Sequence, residues 1–270
     1  MWKETNYSND LFFQHNIDNI KPALIESIEK ESIAEEIGFE AGDSIISING
    51  HKPRDLIDYQ ILISEEILEI SVLDKKKNVH NIKIEKDYDS NLGINFEEAL
   101  FDSLKQCNNQ CPFCFIDQQP PGKRKSLYLK DDDYRLSFLY GSYLTLTNLN
   151  EKDWERISTQ RLSPLYVSVH STNPDTREKL LQNKKARNII DQIKWFEKNL
   201  LQIHAQIVVC PKINDGKLLR QSILELARFH KTKRKTVLSV AIVPVGLTRF
   251  RPANDGLTAI DKEYAKNIIR

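Results

Sequence analysis

Apolar and polar residues along this chain change rhythm near residue 90. Before that point, short runs alternate with a period of two, as half-buried strands do: residues 23–28, 43–48, 68–72 and 79–84. Between the first two runs, Ser32 with Glu35 three positions on predicts a capping-box start for a short helix over 32–37. Gly38 is placed to close that helix, because glycine enters the left-handed region without strain. Asn49-Gly50, directly after the second run, is a tight-turn dipeptide, and the polar stretch 74–78 predicts a hairpin between the last two runs. These signals predict a small β-rich domain over residues 1–90.

Beyond residue 90, strand and helix patterns alternate. Strands are predicted over 143–147, 165–170, 203–210 and 237–243, and helices over 151–160, 175–199, 217–230 and 260–270. Residues 96–104 are a candidate opening strand. The later strands are nearly continuous apolar runs, as in a parallel sheet covered by helices. The predicted class is therefore α/β, with a β-rich domain followed by a partial (β/α) barrel over 91–270. A closed barrel needs more strands, so the second domain is expected to be C-terminally truncated, either as a fragment or as a barrel without its last units.

Composition adds few constraints. The 270 residues suit one large or two modest domains, and 40% hydrophobic with 29% charged residues is ordinary for a globular chain. Lys and Arg number 39 against 38 Asp and Glu, which gives no electrostatic case for nucleic acid or an anionic membrane. Met1-Trp2-Lys3-Glu4-Thr5-Asn6 lacks the cationic, then apolar, plan of a secretory signal. The strongest apolar run, 237–245, is about half the length of a membrane helix. A cytoplasmic protein is expected.

The cysteines change the picture. Three of the four fall in Cys107-Asn108-Asn109-Gln110-Cys111-Pro112-Phe113-Cys114, and the fourth, Cys210, lies far along the chain. That crowding points to metal or redox chemistry rather than a disulfide framework. Thiolates are soft ligands for iron–sulfur clusters or zinc. Three of them can hold three irons of a [4Fe–4S] cubane and leave the fourth open. A zinc site completed by Cys210 or a histidine is the competing assignment, although no second C-x2-C is present.

The C-x3-C-x2-C spacing with Phe113 at the aromatic position resembles the radical SAM superfamily. The resemblance implies a [4Fe–4S] cluster on Cys107, Cys111 and Cys114, with S-adenosylmethionine chelating the open iron and Phe113 near its adenine. Reduction would then release a 5′-deoxyadenosyl radical that abstracts hydrogen from a substrate left unidentified. It also implies a reductant such as ferredoxin or flavodoxin. The superfamily's acidic segment after the second strand is replaced by Thr145-Leu146-Thr147-Asn148, which makes Thr147 and Asn148 candidate cofactor contacts. Ser168 and His170 alternate on the third predicted strand and join them as candidates facing a barrel interior.

Residues 32–43 with Ile46, Ile48, Asn49 and Gly50 resemble a bacterial PDZ domain. PDZ domains bind peptide C-termini by strand addition. No Gly-rich carboxylate loop precedes Ala23, which leaves a packing role and a partner-binding role both open. Stretches 130–138, 143–149, 165–170, 206–215 and 243–248 resemble a family of Fe–S oxidoreductases that joins PDZ, radical SAM and DUF512 domains and has a cyanobacterial branch. Here the DUF512 part is expected to be missing, and Lys212 stands where that family has glycine.

Two other classes stand beside the radical enzyme: a non-radical Fe–S protein for electron transfer or redox sensing, and a PDZ-type binding module carrying an inactive barrel. Simpler roles are expected for several residues. Cys210 reads as a buried hydrophobe at a strand end, Asp131-Asp132-Asp133 as a solvated or capping loop, and the basic run 231–235 as a solvated loop.

Overall fold

The computed structural model describes residues 20–231, 234–252 and 255–269. The hexapeptide at the N-terminus and part of the basic run 231–235 lie outside them. The chain divides into two compact units, the first ending at Leu104 and the second beginning at Lys105.

The first unit contains strands β1 (Ala23–Ile28), β2 (Ser44–Ile48), β3 (Ile67–Leu73), β4 (Val79–Glu85) and β5 (Ile94–Phe96), with helices α1 (Ile33–Glu36) and α2 (Leu56–Leu62). The strands form one antiparallel sheet in the order β4-β3-β2-β1-β5. Its apolar face, including Ile25, Ile45, Ile48, Leu68 and Ile70, closes on Leu92 and Phe101. The start of α1 follows the capping pattern: Ser32 Oγ accepts from Glu35 N–H, and the Glu35 carboxylate accepts from Glu31 N–H at 2.6 Å. Gly38 closes it at φ +85°. Asn49 and Gly50 both take positive φ, as a tight hairpin-type turn requires.

Residues 96–104 do not open the second unit. Ile94–Phe96 pairs with β1, and the chain through Leu104 stays with the first unit, beyond the expected boundary at 90. The apolar side chains of this stretch, Ile94, Phe96 and Phe101, belong to the first core.

The second unit is mixed α/β. It contains α3 (Tyr134–Tyr140), α4 (Glu151–Thr159), β6 (Leu165–Ser168), α5 (Pro174–Leu181), α6 (Ile189–Lys198), β7 (Ile203–Val209), α7 (Gly216–His230), β8 (Val237–Pro244) and α8 (Lys262–Ile269). Strands β6, β7 and β8 form a parallel sheet in that order. No closed barrel is present among the described residues.

Two predicted elements are interrupted. Residues 143–147 contribute only a parallel bridge from Leu144 to Val167, because Leu146 turns to φ +62° and ends any extended run. The predicted helix 175–199 breaks at Gln182, which is left-handed at φ +50°, and Asn183 then caps a 3-10 turn over Lys184–Asn188. Among the described residues, no helix is long and apolar enough to cross a membrane.

Gly93 gives a test of the first unit's packing. It sits at φ +77°, and an added Cβ would lie 2.3 Å from Ser32 Cβ. Gly93→Ala is expected to lower unfolding free energy by well over ~1 kcal/mol. Gly38→Ala meets nothing within 4 Å, so only the strain of its backbone angle applies and its loss is smaller. Denaturant midpoints of the two full-length variants check the order.

Candidate functional site

The cysteine loop lies in the second unit and is anchored at several points. Cys107 N–H donates to Lys130 O at 2.8 Å, Gln110 N–H to Leu181 O at 3.0 Å, and Cys114 N–H to Cys111 O at 3.0 Å. The residues just after the loop are tied to the segment following β8. There Thr248 N–H donates to Gln118 Oε1 at 2.8 Å, and Gln118 Nε2 donates to Gly246 O at 3.3 Å.

Two environments meet at this loop. On one side, Cys111 and Phe113 pack against an apolar cluster of Leu180, Leu181, Ala186, Cys210, Val245 and Leu257. On the other, Cys107 faces a buried polar network. Asn109 Nδ2 lies 3.2 Å from Cys107 Sγ and 2.8 Å from Thr145 Oγ1. Thr145 donates from its backbone and its hydroxyl to the two carboxylate oxygens of Asp132, at 2.5 Å and 2.6 Å. Thr147 Oγ1 stands 3.0 Å and 3.1 Å from the Oδ1 atoms of Asn108 and Asn109. Asn183 Nδ2 donates to the same two oxygens.

Beneath this network lies Arg177, fully buried in α5. Its guanidinium donates to four backbone carbonyls: Val169 at 2.8 Å, Ala186 at 2.6 Å, Thr145 at 2.8 Å and Ser168 at 2.9 Å. Burial brings its pKa down to about 10, against the opposing pull of Asp132 and Cys111, so it stays cationic at neutral pH.

The candidate residues from the sequence are placed as follows. Thr147 bonds directly to the cysteine loop. Asn148 Nδ2 donates to Gln106 O and Asp132 O, while its buried Oδ1 has no hydrogen-bond partner. Ser168 ends β6 and enters the site through its carbonyl. His170 lies beyond the strand at φ +58°, so simple alternation does not aim it. Its ring nonetheless meets Phe113 edge-to-face at 5.0 Å, and its Nδ1 accepts from Val208 N–H at 3.3 Å. Burial, then Arg177, lowers its pKa to about 3.

The acidic triplet separates into distinct roles. Asp133 caps α3 and pairs with Arg135 at 2.7 Å, Asp132 is buried in the network, and only Asp131 is exposed. The capping expectation therefore holds for Asp133, and the solvated one for Asp131 alone. Asn109, Thr145, Asn183 and Arg177 were not anticipated. Asn109 could have been suspected from its place between two cysteines, whereas Arg177 sits in a charged helical stretch that reads as solvated.

The cysteine thiols influence one another. Burial raises the Cys111 pKa to about 12, reinforced by Cys107 and Cys114. Burial also raises that of Cys107, with Asp132 adding to it and the Asn109 hydrogen bonds opposing it. Among the described residues, no three His, Cys, Asp or Glu side chains group as ligands to one metal ion. A cubane takes each thiolate at a different iron, so convergence on a single point is not the geometry it requires. Three soft donors on one anchored loop, with an amide N–H on the first sulfur, suit such a cluster.

Arg177→Met removes the donor from four buried carbonyls and the cation from beside Asp132, and is expected to lose about 3–5 kcal/mol of stability. Arg177→Lys recovers less than half, since an ammonium has three donors and no planar fork. Urea titration of the full chain checks both. For His170, the folded chain takes up no proton until about pH 3, while an unfolded imidazole titrates near 6.5. The unfolded state thus binds more protons below pH ~6.5, and stability falls as pH drops, by up to ~1.4 kcal/mol per unit from this group. His170→Gln should flatten the stability profile between about pH 6.5 and 5.

A family model described as a Radical SAM-like domain matches residues 86–237, and a model described as a PDZ domain matches residues 24–73. No curated protein matches the chain.

Proposed function

The chain belongs to the Radical SAM-like family, and on that premise we propose that it is a radical SAM enzyme holding a [4Fe–4S] cluster on Cys107, Cys111 and Cys114. The observation that carries this proposal is the anchored three-cysteine loop, with Cys107 in a polar network and Cys111 on an apolar cluster beside Phe113. When bound, the cluster would deliver one electron to the sulfonium of S-adenosylmethionine, giving the 5′-deoxyadenosyl radical used for hydrogen abstraction.

The chain's own residues would bind and orient. Phe113, steadied by His170, offers an aromatic edge to the adenine. Asn148 Oδ1 offers an unused acceptor to an amine such as that of the cofactor's methionine moiety. Thr147 is a positioning residue for the loop, since its hydroxyl is committed to Asn108 and Asn109. A low-potential reductant of the ferredoxin or flavodoxin class supplies the electron, and the PDZ-like unit is a candidate for recruiting a protein partner. The likeness to DUF512-bearing oxidoreductases supports an oxidoreductase role.

One observation favours a second reading. Cys210 is buried in the same apolar cluster as Cys111, which makes it a candidate fourth ligand of a non-radical electron-transfer cluster. A fully ligated cluster would leave no open corner.

Anaerobic reconstitution of the full chain with iron and sulfide separates the two readings. The proposal expects 5′-deoxyadenosine from S-adenosylmethionine under dithionite, reduced to background by alanine at Cys107, Cys111 or Cys114. Cys210→Ala should keep the cluster and its response to S-adenosylmethionine. Loss of the cluster in Cys210→Ala, with no spectral response to S-adenosylmethionine in the parent, would establish the second reading instead.

A further inference from the structure

We infer that Asn109 sets the reduction potential of the cluster by donating a side-chain hydrogen bond to Cys107 Sγ, an inference that rests on the cluster assignment above. Asn109 is 4% exposed, and its Nδ2 stands 3.2 Å from Cys107 Sγ and 2.8 Å from Thr145 Oγ1. An amide nitrogen carries two protons, so both contacts are served together.

The direction of the amide is imposed by its neighbours. Asp132 accepts the Thr145 hydroxyl proton at 2.6 Å, which leaves Thr145 Oγ1 as an acceptor toward Asn109. On the far side, Asn109 Oδ1 accepts from Asn183 Nδ2 at 2.8 Å. A flipped amide would face Asn183 donor to donor and press an oxygen against sulfur. The chain Asp132, Thr145, Asn109 therefore fixes an N–H dipole on the first cysteine, with the positive end toward sulfur.

Reduction adds one electron, from an external low-potential reductant, to the cluster and its thiolate sulfurs, and no protein bond forms or breaks. A donor aimed at one of those sulfurs stabilises the more negative state and raises the potential. Burial from water strengthens the effect. Asn109 thus acts through Cys107 as a positioning residue.

The test is an EPR-monitored redox titration of the reconstituted full chain and two variants. Asn109→Leu keeps the side chain's bulk without the amide, and Asn109→Asp keeps its shape while reversing the dipole. Both are expected to lower the potential, Asp more than Leu, by at least about 59 mV, which is a tenfold change in the reduced-to-oxidised ratio of a one-electron couple. Cluster-bearing variants with the parent's potential overturn the inference while leaving the cluster assignment standing. A parent chain that takes up no cluster overturns both. Where a variant fails to fold, pulsed EPR of the reduced parent decides, with nitrogen-15 confined to asparagine side-chain amides. A hyperfine coupling from that nitrogen supports the inference, and its absence rejects it.

Discussion

Arg177 lies wholly out of water, and its guanidinium donates to the carbonyls of Thr145, Ser168, Val169 and Ala186. Those carbonyls come from three separate stretches: the loop before α4, the end of β6, and the 3-10 turn after α5. One planar donor group therefore ties together three stretches that are far apart in sequence. A guanidinium suits the task because its donors diverge in one plane from a charge that stays put even when desolvation lowers its pKa to about 10. The position of Thr145 follows from Arg177, that of Asn109 follows from Thr145, and that of Cys107 Sγ is shared with Asn109. The cysteine loop is thus referenced to a buried cation through its neighbours.

That cation also bears on the charge of the site. Without a metal, burial holds Cys111 and Cys107 as neutral thiols, since two or three thiolates so close would repel one another. Metal ligation requires thiolates, so loading releases protons and is favoured by higher pH. Lys130 opposes the rise in the Cys111 pKa, and the Cys111 charge supports the Arg177 cation against the effect of burial. Asp132 works the other way on Cys107. A site with one buried cation and one buried carboxylate is near neutral before the cysteines ionise, so under the proposed assignment the irons would supply the remaining compensation.

What could be read from the sequence was what depends on local order. The helices over 151–160 and 217–230 and the strands over 203–210 and 237–243 match α4, α7, β7 and β8 closely, because each is a single uninterrupted pattern with clear ends. The cysteine motif is visible in the sequence because its spacing lies within eight residues. The misses arise where a tertiary contact overrides the local pattern. Leu146 abandons an apolar strand for a left-handed turn that leaves it buried, and its carbonyl accepts from Gln192 at 2.9 Å. Arg177, flanked by Asp175, Thr176, Glu178 and Lys179, looks like one more exposed charge, and only the fold reveals that its side chain points inward. Polar core residues leave no hydrophobic rhythm, so their partners cannot be paired before the chain is folded.

The asymmetry of the cysteine loop ties these points to chemistry. The proposed radical chemistry has two opposed requirements: water must be kept from the reactive carbon, and the cofactor must be held in one orientation. The apolar cluster of Leu180, Leu181, Val245 and Leu257 beneath Cys111 and Phe113 meets the first, because such a surface has no donors to order water. The network of Asn109, Thr145, Thr147 and Asn183 meets the second, because each hydrogen bond has a fixed direction. Exchanging the two halves would expose the aromatic edge to polar groups and leave the first sulfur without a donor. Under the proposed function, shielding would fall to the second half of the motif and tuning to the first.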